Sequence, residues 1–260
     1  MTRTRQPGVD IDRFPEWEPF AEAVADRRPN AGTWCEAWTV RDIVIHQTGC
    51  AEELARVVEA HLVGEPVPTR AFAEREAPFH ALNNAELWSA LVERMHRLGE
   101  VAAAAESLPA DTDIGWTGRT MKPHWFAEHM REELVLHGWD ISGDDATTQT
   151  RLAQSWMTEH AVIAVGVPLL KRGAAKLGLR GEESINARLR APGTDDVVVS
   201  ACADSTSIRF EPPDGQAALE TDAATRVLLL WGRRPGDPSR ICSDAGPDLL
   251  GRVRTLLSGY

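Results

Sequence analysis

The sequence predicts an α+β protein in which an N-terminal four-helix bundle is followed by a small C-terminal α+β domain. Within residues 16–170, apolar residues recur every three or four positions in several long stretches joined by modest loops, which is typical of bundle helices. After Gly181 the pattern changes to short alternating and β-branched segments, which are typical of strands. We therefore predict a bundle domain at residues 1–175 and an α+β domain at residues 182–260.

Signals at the helix ends support the predicted bundle. Thr39 precedes Asp42 by three positions, the spacing of a capping box, with Asp in place of the more usual Glu. Pro123 suits the first turn of a helix, whereas Pro168 and Gly173 are expected to break or kink one. The bundle helices are thus predicted over residues 16–26, 40–62, 84–106, 123–142 and 151–165, with a loop or short hairpin over residues 111–122.

The C-terminal segment predicts a sheet followed by helices. The turn residues Pro212-Pro213-Asp214-Gly215 separate two of the expected strands. Asp222 is the expected N-cap of a helix that runs through Trp231. Strands are predicted over residues 185–190, 196–202, 206–210 and 217–221, and a last helix over residues 248–258.

Charge and hydropathy exclude two classes of partner. The formal net charge of −11 argues against nucleic acid, whose phosphates require clustered Lys and Arg. No apolar run approaches the roughly 20 residues that span a bilayer. The four cysteines are too scattered for a disulfide framework, and no apolar signal-peptide core follows residues 1–7. We therefore expect a cytoplasmic protein, monomeric or a small homo-oligomer, that acts on small molecules.

The most informative pair in the chain is Glu133 and His137. The two residues are four apart in a predicted helix, so their side chains lie on the same face. A carboxylate and an imidazole in this arrangement can chelate a divalent ion, or they can form an ordinary buried hydrogen-bonded pair. Two residues do not complete a metal site, so a third ligand is needed from elsewhere in the chain.

His46 is the best candidate for the third ligand, because it lies in the middle of a different predicted helix among apolar residues. Asp42, one turn earlier, could orient the His46 ring as a hydrogen-bond acceptor. Two alternatives remain open at this point. His46 could pair with Cys50 one turn later, and His129 could pair with Glu133, although three residues strung along one helix cannot all reach one ion.

Three motifs resemble a known family. Residues Trp38 to His46 resemble the W-x-V-x-D-x-x-x-H segment of the DinB-like metal-binding four-helix bundles, and Glu133 to Asp140 resemble their E-x-x-x-H-x-x-D signature. Residues 228–235, with the sequence LLLWGRRP, resemble the L-x-W-G-R-R-P segment of one branch. That branch is the mycothiol-dependent maleylpyruvate isomerase-like group, whose members pair the bundle with a small C-terminal α+β domain.

This resemblance implies a divalent metal, usually Zn²⁺, bound by His46, Glu133 and His137. It also implies a low-molecular-weight thiol, typically mycothiol, as co-substrate or cofactor. A metal lowers the pKa of a nearby thiol or water, and the resulting thiolate would attack a small electrophilic substrate. Collapse of the adduct would give isomerisation, and its persistence would give a thiol S-transferase. The alternatives are a non-catalytic metal- or ligand-binding regulatory bundle and a hydrolase that uses metal-activated water.

The resemblance also suggests roles for residues around the metal. Arg233 is the expected catalytic arginine and Arg234 a substrate- or thiol-binding residue, since a guanidinium can hold a carboxylate; without the resemblance, both would be surface arginines. Asp140 is expected to support a ligand rather than to be one. Trp38 and Trp139 could line a binding pocket, but packing in the core is an equal alternative for each. The family's namesake substrate is not carried over to this chain.

Overall fold

The structure is a computed structural model that describes residues 8–258, so residues 1–7 of the predicted first domain and residues 259–260 of the second lie outside the description. It divides into two compact units, Met1–Gly143 and Asp144–Tyr260. This division falls earlier in the chain than the predicted boundary at residue 175, because the long helix before that residue packs with the elements of the second unit. The domain limits of 1–175 and 182–260 stay a prediction.

The predicted bundle helix over residues 151–165 lies in the second unit, so the first unit contains the other four predicted helices and one additional helix. Its helices are α1 (Trp17–Ala25), α2 (Val40–Leu62), α3 (Phe72–His80), α4 (Asn84–Ala105) and α5 (Pro123–Ser142). Helix α2 packs against α4 and α5, α4 also packs against α5, and α1 packs on α5. The expected hairpin is present as strands β1 (Ile114–Trp116) and β2 (Arg119–Met121), with Ile114 opposite Met121.

Local sequence signals set the limits of the two longest bundle helices. The Thr39 side chain accepts a hydrogen bond from the backbone N–H of Asp42, and the Asp42 carboxylate accepts one from the backbone N–H of Thr39. Asn83 and Glu86 form the same reciprocal cap at the start of α4. The apolar stripes of these helices then fill the core between them, where Ile43, Leu54 and Leu91 are fully buried.

Helix α3 was not predicted. It has nine residues, contains Pro78, and has no side-chain cap at Ala71. It lies close to α2 at Gly49, where a Cβ atom would be 3.2 Å from both the carbonyl oxygen of Arg75 and the Cγ of Glu76. Because Gly49 has no side chain, the backbone of α3 can approach α2 closely enough to bring residues 75 and 76 into the core of this unit.

The second unit is the predicted α+β domain with extra helices at its start. It contains α6 (Ala146–Leu152), α7 (Ser155–Leu177), β3 (Ser184–Arg190), β4 (Asp196–Cys202), β5 (Thr206–Glu211), β6 (Leu219–Thr221), α8 (Ala223–Leu230), β7 (Ile241–Cys242) and α9 (Gly246–Leu257). The strand order is β5-β4-β3-β6-β7, in which β3 and β6 are parallel and the other pairs antiparallel. The Asp222 carboxylate caps α8 as predicted, by accepting from the backbone N–H of Thr225.

The structure confirms a kink near Pro168 in α7 and corrects the expected role of Gly173. The helical dihedrals are interrupted at Gly166, whose φ of 44° is readily adopted only by glycine. The helix then continues through Gly173 to Leu177. A Cβ atom at Gly173 would lie 1.8 Å from the carbonyl oxygen of Leu256, so this glycine permits close packing of α7 on α9 instead of ending the helix.

No helix within residues 8–258 combines the length and the apolar character needed to cross a membrane. The expected cytoplasmic location stays a prediction.

Candidate metal centre

Three side chains from α2 and α5 converge in the bundle of the first unit. One ligand atom each from His46, Glu133 and His137 lie within 4.8 Å of one another. His46 and His137 are buried, with side chains 6% exposed, and the Glu133 side chain is 13% exposed. Helices α2 and α5 therefore bring the three predicted ligands together.

The distances within the trio suit a tetrahedral metal ion. Oε2 of Glu133 lies 3.4 Å from Nε2 of His46 and 3.3 Å from Nε2 of His137. Two ligand atoms that each lie 2.0–2.1 Å from a tetrahedral zinc ion are about 3.3–3.4 Å apart. Two imidazole nitrogens and one carboxylate oxygen are also the donor set of many catalytic zinc sites. The residues present therefore fit a divalent metal.

The outer nitrogen of each histidine ring faces a second carboxylate. Nδ1 of His46 lies 2.8 Å from Oε1 of Glu76, and Nδ1 of His137 lies 2.8 Å from Oδ2 of Asp140, although the latter contact is not aligned for a linear hydrogen bond. An ionised carboxylate only accepts hydrogen bonds, so it favours a proton on Nδ1. The Nε2 lone pairs then point towards Glu133, and a cation between them would relieve the repulsion.

This pairing corrects the expected role of Asp42. The Oδ2 atom of Asp42 accepts hydrogen bonds from the backbone N–H and the hydroxyl of Thr39, at 2.8 Å and 2.6 Å. The carboxylate beside His46 is instead Glu76 from α3, the helix that the sequence analysis missed. A nine-residue helix with an internal proline and no cap carries no strong periodic signal, so the sequence did not indicate Glu76. For His137, the expected neighbour Asp140 does lie at the ring.

Burial and the neighbouring polar groups oppose each other in setting the pKa values of Glu133 and His137. Burial alone would raise the pKa of the Glu133 carboxyl, but the nearby rings of His137 and His46, which can donate to it and carry positive charge, hold it well below its usual range. Burial would lower the pKa of His137, but the nearby carboxylates of Asp140 and Glu133 raise it above its usual value. The site therefore attracts a positive charge, which can be a proton or a metal ion.

The two alternative ligand arrangements are less favourable. Burial, followed by the charge of Glu133, raises the pKa of the Cys50 thiol, which disfavours a thiolate ligand. Among residues 8–258, Cys50 does not join the converging group. Nε2 of His129 lies 3.8 Å from Oε1 of Glu133, the oxygen that does not face His46 and His137. Oε2 of Glu133 thus faces His46 and His137, and Oε1 faces His129.

Aromatic rings cover the two histidines. The ring of Trp38 stacks on His137 with a centroid distance of 5.7 Å and lies 5.0 Å from the ring of His46. Phe72 of α3 lies 5.5 Å from His46 and was not indicated by the sequence. Trp139 is 1% exposed, and its ring lies 5.6 Å from that of Trp34, so this indole offers little surface to a ligand.

The two expected arginines belong to the second unit. The backbone N–H of Arg233 donates to the carbonyl of Leu228 at 2.8 Å, so Arg233 follows the end of α8 directly. Its side chain is half-buried, whereas that of Arg234 is exposed. The roles expected of both arginines at the metal centre stay predictions.

Comparisons with known proteins agree with this fold and its motifs. Two crystal structures have a similar fold: the mycothiol-dependent maleylpyruvate isomerase and a histidine-to-alanine variant of it, with TM-scores of 0.60 and 0.59. Each is 15% identical and covers 91% of this chain and 93% of its own. No curated protein sequence matches significantly. Residues 14–142 match the model of the mycothiol maleylpyruvate isomerase N-terminal domain, so this part of the chain is similar to that family.

Proposed function

We propose that the protein is a metal-dependent enzyme that uses a low-molecular-weight thiol, mycothiol in the first instance, to attack a small electrophilic substrate. The observation that carries this proposal is the convergence of two imidazole Nε2 atoms and one carboxylate oxygen in a buried part of the bundle. Similarity to the mycothiol-dependent isomerase in fold and family supports the choice of thiol. The outcome is isomerisation if the adduct collapses and S-transfer if it persists.

His46, Glu133 and His137 would hold the ion, for which Zn²⁺ is our first choice. When bound, the ion would lower the pKa of a thiol beside it and so supply a thiolate nucleophile at neutral pH. Glu76 and Asp140 keep a proton on each outer Nδ1 and fix the ring orientation, which leaves both Nε2 atoms available.

The surroundings of the trio favour chemistry on a thiol and a carbon electrophile. Trp38 and Phe72 place apolar surface against the two imidazole rings. Apolar walls exclude water, which strengthens electrostatic interactions in the site and protects a thiolate from competing proton transfer. In this proposal Arg233 is the catalytic arginine, and Arg234 binds the substrate or the thiol.

Metal analysis tests the first part of the proposal. We expect the purified protein to hold one divalent ion per chain and the double variant His46→Ala/His137→Ala to hold none. His80→Ala, which removes an exposed histidine, is the matched control and should keep the ion. Wild-type protein without stoichiometric metal after zinc loading, or a double variant that keeps it, contradicts the proposal.

Turnover tests the second part. The zinc-loaded protein is incubated with mycothiol and a panel of small α,β-unsaturated carboxylic acids and epoxides, and mass spectrometry follows the products. We expect S-conjugates or isomerised substrate that require both the thiol and the metal. Binding without conversion across the panel would favour the non-catalytic regulatory alternative, and conversion without thiol would favour the hydrolase.

A further inference from the structure

We propose that Arg75 forms an anion-binding subsite beside the candidate metal centre and takes a carboxylate group of the small-molecule ligand. This inference rests on the proposed function for the identity of that ligand. The subsite itself is argued from the contacts of Arg75 and is tested without metal or turnover.

Arg75 is a buried cation whose charge is not paired. Its exposed fraction is 3%, and its Nε atom is buried without a hydrogen-bond partner. Within residues 8–258, no carboxylate forms an ion pair with its guanidinium. An arginine is almost never fully buried without a partner, because leaving water costs the charge several kcal/mol. An arriving anion would offset this cost.

Among residues 8–258, two aromatic rings face the guanidinium of Arg75. The Cζ atom of Arg75 lies 4.1 Å from the centroid of the Phe72 ring and 6.0 Å from that of Trp116. Cation–π contacts offset only part of the cost of removing a guanidinium from water. The carboxylate of the adjacent residue, Glu76, lies with Oε1 2.8 Å from Nδ1 of His46.

The surroundings of Arg75 are shared with the metal centre. Phe72 contacts both the guanidinium and the ring of His46. Trp116 lies near the guanidinium and near His129, which in turn faces Glu133. The thiol of Cys50 is within electrostatic reach of both Arg75 and Glu133. One ligand could therefore touch the guanidinium at one end and the trio at the other.

The backbone fixes Arg75 in this place. Helix α3 approaches α2 at Gly49, where a Cβ atom would lie only 3.2 Å from the carbonyl oxygen of Arg75 and from Cγ of Glu76. The same contact that brings Glu76 to His46 thus brings Arg75 into the bundle. A carboxylate is the favoured anion, since a guanidinium donates two parallel N–H bonds to its two oxygens.

The test measures binding of succinate to metal-free protein by isothermal titration calorimetry. Removing the metal first excludes coordination of the carboxylate by the ion. Dimethyl succinate is the uncharged control ligand. The variants are Arg75→Met, which keeps the length of the side chain, and Arg75→Lys, which keeps the charge. Arg28→Met removes an exposed arginine of the same unit and controls for the change in net charge.

We expect wild type and Arg28→Met to bind succinate with the same affinity and dimethyl succinate not to bind. Arg75→Met should weaken succinate binding at least about 10-fold, and Arg75→Lys should lie between the two because it keeps the charge but loses the bidentate geometry. Thermal unfolding establishes that each variant is folded, and Arg75→Lys provides the measurement if Arg75→Met is not.

Absence of succinate binding to wild type, or equal binding by both Arg75 variants and wild type, would overturn the subsite. These outcomes are distinguishable from failure of the proposed function. A protein that holds no zinc or turns over no substrate can still lose succinate binding on substitution of Arg75, and an active zinc enzyme can still bind succinate independently of Arg75.

Discussion

Two glutamates of the first unit, Glu53, which is buried, and Glu133, which is 13% exposed, have contrasting surroundings. Both carboxylates belong to long bundle helices, and both have a pKa below the usual range. Glu53 is surrounded by arginines that use every position around its oxygens. Glu133 faces histidine nitrogens at distances that leave room for an ion. The comparison separates a cluster that stabilises the fold from one that can bind a ligand.

The Glu53 cluster is closed, in the sense that both carboxylate oxygens are fully hydrogen-bonded within the protein. Oε1 accepts from Nη2 of Arg56 and the backbone N–H of Arg70, both at 2.6 Å, and Oε2 accepts from Nε of each arginine, at 3.1 Å and 2.6 Å. Burial alone would raise the pKa of Glu53, but these bonds and charges lower it to about 2. No lone pair of this carboxylate remains for a ligand.

The Glu133 cluster is open, in the sense that its carboxylate and the two imidazole nitrogens leave room for an ion between them. The 3.3–3.4 Å separations from His46 and His137 exceed ordinary hydrogen bonds and match the edges of a coordination tetrahedron. A buried carboxylate with underused lone pairs costs stability unless a cation arrives. Nearby, Arg75 is the complementary case of a buried cation without an anion. The charged groups at the candidate metal centre therefore lack full partners, whereas the charges of the Glu53 cluster are fully paired and stabilise the fold.

The largest expected effect is on the closed cluster. Glu53→Gln should lower the free energy of unfolding by about 3–5 kcal/mol, because it leaves Arg56 and Arg70 without their buried partner. Urea unfolding of metal-free protein at pH 8 measures this loss. Glu133→Gln is the matched substitution in the open cluster and should cost clearly less. Equal losses for the two variants would remove the distinction between the clusters.

The second-largest expected effect is a loss of stability at low pH that comes from the Glu53 cluster. The pKa of Glu53 in the folded protein, about 2, lies below its ordinary value of 4.5. The stabilisation is therefore complete above about pH 5 and is lost as the pH falls towards 2, by roughly 3 kcal/mol in total. The free energy of unfolding, measured between pH 5 and pH 2.5, should fall more steeply with decreasing pH for wild type than for Glu53→Gln. Parallel curves would show that Glu53 does not carry this dependence.

The carboxylates behind the histidines should affect metal binding more than stability. Glu76→Gln is expected to weaken zinc affinity about 10- to 100-fold, or 1.4–2.7 kcal/mol, because an amide holds the His46 ring less firmly. Asp42→Asn, which alters the helix cap only, is the control and should keep the zinc affinity near that of wild type. Competition with a chromophoric chelator gives both affinities. A larger effect for Asp42→Asn would restore the role first expected of that residue.

The smallest effect concerns the packing of α3 on α2. Gly49→Ala adds a Cβ atom 3.2 Å from the carbonyl oxygen of Arg75 and from Cγ of Glu76, so α3 must move by a few tenths of an ångström. We expect a several-fold loss of zinc affinity. Gly138→Ala on α5, where a Cβ atom meets nothing within 4 Å, is the control for a helical glycine and should have little effect. Unchanged affinity in Gly49→Ala would show that α3 tolerates the shift.

Local signals determined most of the fold and the identity of the trio. The limits of α2 follow from the Thr39–Asp42 capping box and its apolar stripe, and the four-residue spacing of Glu133 and His137 places both on one face of α5. Such signals act within one or two helical turns, so they can be read from neighbouring residues. The family motifs then indicated His46 as the partner on another helix.

Only the tertiary structure decided what surrounds the trio. Glu76 and Arg75 lie on a short helix without periodic signal, and they reach the site because Gly49 lets α3 approach α2. Gly173, expected to end a helix, instead admits the backbone of α9. In each case a glycine or a charge acts on a partner far away in sequence. Local propensity carries no information about such partners, since they are chosen by packing and by the cost of burying an unpaired charge.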